Sequence, residues 1–588
     1  MFDIFVIPFS TGTIFLFSIL IVKFVQWFIE IPKNEKSLIR KNFFSVKTLK
    51  SVWECITECL LHFRIFKKNP RLGYMHTSIA FGWFMLIVIG KFQSTAATGE
   101  WIEQPYMAIF LKYFFPKESF LHAQLYGFLM DFFLLLVLSG LMVAVVKRIR
   151  PKTTGMKRPT KHTAFDKVAL VSLWAIFPLR LLAESFTSGA NHSGNFLTGS
   201  MGTFFDLFLP LNILQYPTWW AYSLALGIFF CVMPFSRYMH IFTEIGLIFL
   251  RNWGLKTENQ LRGFANFELH ACSRCGMCID VCQLNTAAKI NNVQAVYFLR
   301  SERYHTLSHK LTNNCLMCGR CEEVCPVLIK NNQHRLLSRT SPFETEEHLS
   351  YLASVSHSFE NKQRDVAYYA GCMTHLTPSI KKSMLQIFEK AKINYIFIDE
   401  QQNACCGRPM MLSGAQKTAQ KMIDFNKNLI ETSAAQLLVT SCPVCYKFFK
   451  ENYHLNIPVM HHTEYINQLI AEKKITIHKT AEKYIYHDPC ELGRLSGIYE
   501  QPRTILKKTG RLINTPNERE NAFCCGGSLA NTEINYTQRG HIVRETIHAL
   551  CTDNPDCLIT ACPLCKKTFN KENIIPVKDI AEIVAKQM

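Results

Sequence analysis

Five apolar stretches, roughly 11–31, 75–97, 120–146, 165–188 and 217–247, occupy most of the first 250 residues. Each is long enough to cross the hydrocarbon of a bilayer as a helix, which takes about 20 residues. Beyond residue 255 the pattern shortens into strand-sized and helix-sized alternations. VAYYAG (366–371), a helical run from Pro378 to Lys390, YIFID (395–399), a helix near 415–431 and LLVTS (437–441) alternate as strand and helix. That order predicts an α/β unit with a mainly parallel sheet. The same pattern returns about 118–120 residues later, so the unit is duplicated. The expected organisation is multidomain. It comprises a five-helix transmembrane bundle (1–255), an α-helical segment (266–330), a polar connector (331–365) and two α/β repeats (366–455 and 483–575).

Charge orients the apolar half. Between Pro32 and Leu72 there are ten Lys or Arg against three acids, and between Lys147 and Thr163 seven against none. Basic loops mark the cytoplasmic side. The loops 32–72 and 147–163 are therefore expected inside, with 98–119, 189–216 and the N-terminus outside and the C-terminal domains in the cytoplasm. The expected location is the inner (cytoplasmic) membrane, in contact with lipid, as a multi-pass protein. No basic n-region precedes the first stretch, which argues against a signal peptide. Neither basic run reads as a folded nucleic-acid face, so no nucleic-acid partner is expected despite a net charge of +20. Lys23, Lys91, Asp131, Arg180 and Glu184 lie within apolar stretches, where ionisable groups are functional candidates; the alternative for Lys23, Lys91 and Glu184 is snorkelling to an interface, and Arg180 and Asp131 could pair across helices. His76 and His240 lie near the cytoplasmic ends of the second and fifth stretches, a matched depth from which two imidazoles can clamp a haem iron.

Cysteine changes the picture most. Cys272, Cys275, Cys278 and Cys282 repeat the spacing of Cys315, Cys318, Cys321 and Cys325: C-x-x-C-x-x-C-x-x-x-C twice, 32 residues apart. Three thiolates at that spacing wrap one corner of a cubane, and in two-cluster ferredoxins the fourth comes from the other run. The expected [4Fe–4S] sets are Cys272, Cys275, Cys278 and Cys325, and Cys315, Cys318, Cys321 and Cys282. Gln283 stands where a first Pro is expected. Structural zinc more often takes paired C-x-x-C units. Each α/β repeat carries five further cysteines at strand ends: Cys372, Cys405, Cys406, Cys442 and Cys445, then Cys490, Cys524, Cys525, Cys562 and Cys565. Five thiols exceed the need of one cubane. Cys55, Cys59, Cys231, Cys551 and Cys557 are left over, expected as packing or inert thiols, with redox activity an alternative at the last two.

The duplicated C…CCG…CPxC units behind a two-cluster segment resemble the catalytic subunit of membrane-bound heterodisulfide reductase. They also resemble its relatives, the iron–sulfur subunits of sulfite metabolism and the quinone reductases served by electron-transferring flavoprotein. The apolar half is similar to the cytochrome-b-type membrane protein related to nitrate reductase γ. This resemblance implies a non-cubane [4Fe–4S] cluster on each five-cysteine set, placing those ten residues at the redox site. GYMH and PFSRYMH match contexts that imply haem b on His76 and His240. About 18 residues earlier, where the family often has another His, Tyr222 follows the Trp pair. His122 and His192 carry no motif that would replace it. The implied activity is electron exchange between the quinone pool, haem b, the clusters and a soluble flavoprotein or iron–sulfur partner. Reduction of a small disulfide at a non-cubane cluster is one alternative, and a zinc-binding membrane scaffold another. No G-x-G-x-x-G opens a βαβ unit, so flavin or nicotinamide chemistry is expected from a partner.

Overall fold

The computed structural model describes residues 2–117, 120–156, 160–339, 363–401, 405–529 and 533–588. Most of the expected connector therefore lies outside the described residues. The chain forms two compact units: Met1–Asp280 with Cys325–Ile329, and Val281–Val324 with Lys330–Met588. The segment expected as one domain over 266–330 is thus shared between them.

The first unit is helical. Among the described residues, five helices are long and apolar enough to cross a membrane: Ile4–Glu30, Pro70–Thr98, Ala123–Ile149, Ala164–Ala190 and Leu211–Phe235. In chain order its helices are α1 (Ile7–Glu30), α2 (Lys33–Asn42), α3 (Val46–Glu54), α4 (Phe63–Lys68), α5 (Pro70–Thr98), α6 (Met107–Phe114), α7 (Ala123–Ile149), α8 (Ala164–Ala190), α9 (Thr198–Asp206), α10 (Leu211–Val232), α11 (His240–Asn252) and α12 (Phe264–Ala271). Small residues set their approach. A Cβ on Gly12 of α1 would lie 2.8 Å from the backbone of Gly227 on α10. The fifth stretch, expected as one helix over 217–247, is divided. Pro234 and the extended backbone of Ser236 interrupt it, and the Ser236 hydroxyl accepts from the Tyr238 amide at 3.2 Å. His240 therefore opens a separate helix. The first helical stretch begins earlier than 11, at Ile4, where the Asp3 carboxylate caps the opening turn.

The second unit holds two four-stranded parallel sheets of the same order. The first contains β1 (Arg364–Tyr369), β2 (Tyr395–Phe397), β3 (Ala435–Thr440) and β4 (Val459–His461), ordered β2-β1-β3-β4. The second contains β5 (Lys483–His487), β6 (Arg511–Ile513), β7 (Cys557–Thr560) and β8 (Val577–Asp579), ordered β6-β5-β7-β8. Val366, Tyr368, Ile380 and Phe388 of the first repeat bury against Tyr484, Tyr486, Ile505 and Ile580 of the second in one apolar core. The repeats therefore fold against each other, which leaves the strand ends to carry the cysteines.

Candidate metal centres

All ten repeat cysteines follow the carboxyl ends of parallel strands, where open α/β sheets place ligands. Cys372 follows β1, and the Gly371 before it has φ +81°. A Cβ on Gly371 would stand 2.9 Å from Cys445 Sγ, so only glycine lets the backbone pass this close to sulfur. Cys442 and Cys562 each cap a helix with Pro at its first position, and Cys445 and Cys565 lie in the first turn. Thiolates are favoured at such N-termini.

The sulfurs gather into two groups. Cys405 lies within hydrogen-bonding reach of Cys372 and Cys406, and Cys445 within reach of Cys406 and Cys442. In the second repeat Cys524 reaches Cys490 and Cys525, and Cys565 reaches Cys525 and Cys562. The two groups differ at their edges: Cys372 is exposed, Cys490 half-buried. The second group lines a partly open pocket, with Leu316, Val444, Leu529 and Leu564 as apolar walls. Hydrogen bonds from Cys372 and Cys406 hold the Cys405 thiol well below its usual range.

The ferredoxin-type runs fold alike. Arg274 and Met317, between the first two cysteines of each run, both have φ +54°, and Gly276 and Gly319 have φ +91° and +75°. These left-handed positions bend the chain between the first two cysteines of each run and again before the third. Cys325 falls in the first unit with Cys272, Cys275 and Cys278, and Cys282 in the second with Cys315, Cys318 and Cys321. Burial pushes Cys325 up to about 12, and Cys275 and Cys272 add to it. Burial likewise raises Cys282 to about 12, with Cys318 and Cys315 adding to it. Thiols so placed hold thiolate character only where a cation offsets burial, which fits ligands of an iron–sulfur cluster. Among the described residues, no three of His, Cys, Asp or Glu close on a single-ion site.

The two kinds of centre meet within the second unit. Cys318 and Cys524 are within hydrogen-bonding reach, and that bond holds Cys318 below the usual thiol range. Gln283 clamps the junction. Its Oε1 accepts from the Cys524 amide at 2.6 Å, and its Nε2 donates to the Cys524 carbonyl at 3.3 Å and to Thr546 Oγ1 at 3.0 Å. Only 2% of Gln283 is exposed. Arg494 Nε donates to the Cys318 carbonyl at 2.9 Å and its Nη1 to the Ala522 carbonyl at 2.6 Å. Sequence reasoning noted Gln283 as a departure from a motif and missed what it bonds; a partner 241 positions away leaves no local signal.

In the helical unit His76 Nε2 is buried with no hydrogen-bond partner, and His240 lies within electrostatic reach of it. His240 Nδ1 bonds the Arg237 carbonyl at 2.7 Å, which orients the ring. An orphaned imidazole nitrogen beside a second imidazole fits an axial haem pair. Sequence reasoning passed over His62, whose ring stacks on His76 at 5.4 Å and whose pKa burial lowers to about 4. Tyr222 is buried and within hydrogen-bonding reach of Arg180, which pairs with Glu184 at 2.8 Å. Asp131 accepts from the Leu197 and Thr198 amides at 2.8 and 3.0 Å. Lys91 pairs with Glu103 at 3.0 Å, and Lys23 lies over the Phe235 ring. His122 and His192 are exposed at helix ends.

Residues 366–450 and 484–570 match the family described as cysteine-rich domain (CCG), and residues 268–329 match the 4Fe-4S dicluster domain. With the thiol groups above, these matches define an iron–sulfur protein of the oxidoreductase class. Within that class the chain is similar to components of heterodisulfide reductase and of quinone-linked oxidoreductases. It is 23% identical over 408 residues to a component of the dihydromethanophenazine:CoB–CoM heterodisulfide reductase of Methanosarcina barkeri, covering 58% of this chain and 98% of that one. It is 22% identical over 484 residues to the EtfAB:quinone oxidoreductase of Syntrophomonas wolfei, covering 63% and 68%. A third relative, a component of the fumarate reductase (CoM/CoB) of Methanothermobacter marburgensis, is 23% identical over 384 residues, covering 56% and 76%.

Proposed function

We propose that the chain is a membrane-embedded oxidoreductase that exchanges electrons between a membrane quinone and a soluble redox partner of the flavoprotein class. The observation that carries this reading is the meeting of Cys318 with Cys524, which joins the ferredoxin-type and repeat thiols in a protein with five bilayer-length helices. Cys272, Cys275, Cys278 and Cys325 would hold one cubane cluster, and Cys315, Cys318, Cys321 and Cys282 the other. The two five-cysteine sets would each hold a non-cubane cluster, and His76 and His240 one haem b. When bound, these groups supply one-electron storage at potentials set by burial and hydrogen bonding. The chain's own residues do the rest. Arg494 and Gln283 hold the backbones of Cys318 and Cys524 in register, and apolar side chains line one side of the second thiol set. Tyr222, bonded to Arg180, occupies the position where a second haem would need its ligand. The basic loops would face the cytoplasm of the inner membrane, with the cysteine domains on that side and the N-terminus outside. The relative named for EtfAB and quinone supports this choice of partners.

The test uses the purified full chain in detergent. A reduced short-chain quinone should bleach the iron–sulfur absorbance, and reduced electron-transferring flavoprotein should do the same. Replacing His240 by Ala should remove the reduced-minus-oxidised haem b spectrum and leave the cluster signals. A chain that ignores quinone and flavoprotein but reduces a small-molecule disulfide belongs to the second reading. That reading, a disulfide reductase, is favoured by the exposed Cys372 edge of the first repeat and by the relatives named for the CoB–CoM heterodisulfide.

A further inference from the structure

Helix α3 is amphipathic the wrong way round for water. A surface helix of a water-soluble protein turns its apolar stripe to the core and its polar face outward. In α3 and the turn before it the inward side is polar, and its hydrogen bonds are met by protein. Asn42 Nδ2 donates to the Trp253 carbonyl at 2.8 Å, and Trp253 Nε1 to Thr48 Oγ1 at 3.0 Å. Asn252 Nδ2 donates to Ser51 Oγ at 3.1 Å and to Glu54 Oε2 at 2.8 Å, and Arg251 Nη2 to Glu54 Oε1 at 2.6 Å. The outward side carries Phe44 (96% exposed), Val46 (80%), Leu49 (71%) and Trp53 (66%). Apolar surface this contiguous and this exposed marks contact with something other than water.

The place and the charges say what covers it. This segment links α1 to α5, and both helices are long and apolar enough to cross a bilayer, so it starts and ends where those helices leave the hydrocarbon. Lys33, Lys36, Arg40, Lys41, Lys47 and Lys50 accompany the apolar side chains along it. Exposed Trp, Phe and Leu beside lysines that snorkel to a headgroup layer compose an interfacial helix, whose hold strengthens with anionic lipid. A water-facing partner protein would not explain why the segment is continuous with two bilayer-length helices.

The inward face leads to a candidate cluster ligand. Glu54 also accepts from Arg64 Nη2. Arg64 Nη1 donates to the Pro326 carbonyl at 3.3 Å, and Arg251 Nη1 to the Val327 carbonyl at 3.1 Å. Those carbonyls immediately follow Cys325. We propose that residues 43–56 lie in the headgroup–acyl boundary of an anionic lipid leaflet and, through Glu54 with Arg64 and Arg251, fasten the Cys325 segment to that surface. Glu54 is then a positioning residue. The proposal rests on the reading of the five helices as membrane spans.

The full chain is placed in nanodiscs of phosphatidylcholine alone or of an equal mixture with phosphatidylglycerol. Photoreactive benzoylphenylalanine is installed singly at Leu49, at Val25 on the exposed flank of α1, and at Lys382 as a solvent-facing control. The expected result is lipid adducts at Leu49 and Val25 and none at Lys382, with the Leu49 yield several-fold higher in the anionic discs. The double variant Lys47→Glu, Lys50→Glu should abolish that preference and keep the adduct. Lipid at Val25 with water or a second protein at Leu49 overturns the proposal alone, whereas no lipid at either site overturns the membrane reading. An equal Leu49 yield in both disc types overturns the anionic assignment. For the Cys325 link, Glu54→Gln should raise amide hydrogen exchange across 325–329 while the core strands β3 and β7 stay protected. Unchanged exchange at 325–329 overturns the fastening.

Discussion

The two cysteine-rich repeats carry the same five cysteines behind sheets of the same order, yet their surroundings differ. Cys524 of the second meets Cys318 of the ferredoxin-type segment, and Gln283 bonds its backbone twice. The first repeat leaves Cys372 exposed. Duplication copies a site, and packing against the rest of the chain then gives each copy its own environment. On the proposed function, the second copy would exchange electrons within the protein and the first with a partner from outside. The residues before the lead cysteines diverge accordingly: Gly371 at φ +81° in the first, Pro489 in the second.

Removing one thiol from each copy tests this division with the largest expected effect. Cys525→Ala and Cys406→Ala should each lower the iron content by about four atoms per chain. Cys525→Ala should also abolish electron exchange with the soluble partner, while quinol still reduces the other clusters. Cys406→Ala should leave the second-repeat signal reducible by quinol and lose only turnover with the partner. If the two variants are indistinguishable in rapid-freeze paramagnetic spectra, the division of labour is wrong.

A smaller effect separates the copies by access. Under mild ferricyanide oxidation followed by a chelator, the iron released first should come from the first repeat, whose Cys372 edge is open. Following both cluster signals over time checks this; simultaneous loss would mean that burial of Cys490 confers no protection.

The junction itself is worth less again. Gln283→Leu keeps the volume but strands the buried Cys524 amide, at a cost of about 1–3 kcal/mol. Thr546 Oγ1 still donates to the Cys524 carbonyl at 2.8 Å, so the loss stays partial. A fall in the denaturant midpoint, with altered magnetic coupling between the Cys318 and Cys524 centres, is the expected signature. A change in stability alone would make Gln283 a packing residue. Gly371→Ala should have a comparable effect, about 1–3 kcal/mol, because its backbone at φ +81° and ψ +151° lies in a region reached essentially by glycine alone, and calorimetry should show it together with a broadened first-repeat signal.

Much of this is legible in the sequence. Alternation of strand-like and helix-like runs announced the parallel sheets, and the cysteine spacings announced ligands at strand ends. Both are local: a helix or a chelating loop is built from residues a few positions apart, so its signature lies in one short stretch. Apolar continuity from 217 to 247 predicts one helix despite Pro234, and the backbone shows that the missing amide counts for more.

What tertiary structure alone decided is which of these local pieces touch. That Gln283 bonds Cys524, that His62 stacks on His76, that Arg180 takes Tyr222 and that α3 faces its apolar side outward all depend on side chains brought together by packing. Such contacts arise from the summed fit of distant surfaces, and no single segment encodes them. The sequence by itself determined two matching sets of thiols and the helices that precede them. Burial and the packing of distant segments made one set an inner junction and left the other with an open edge.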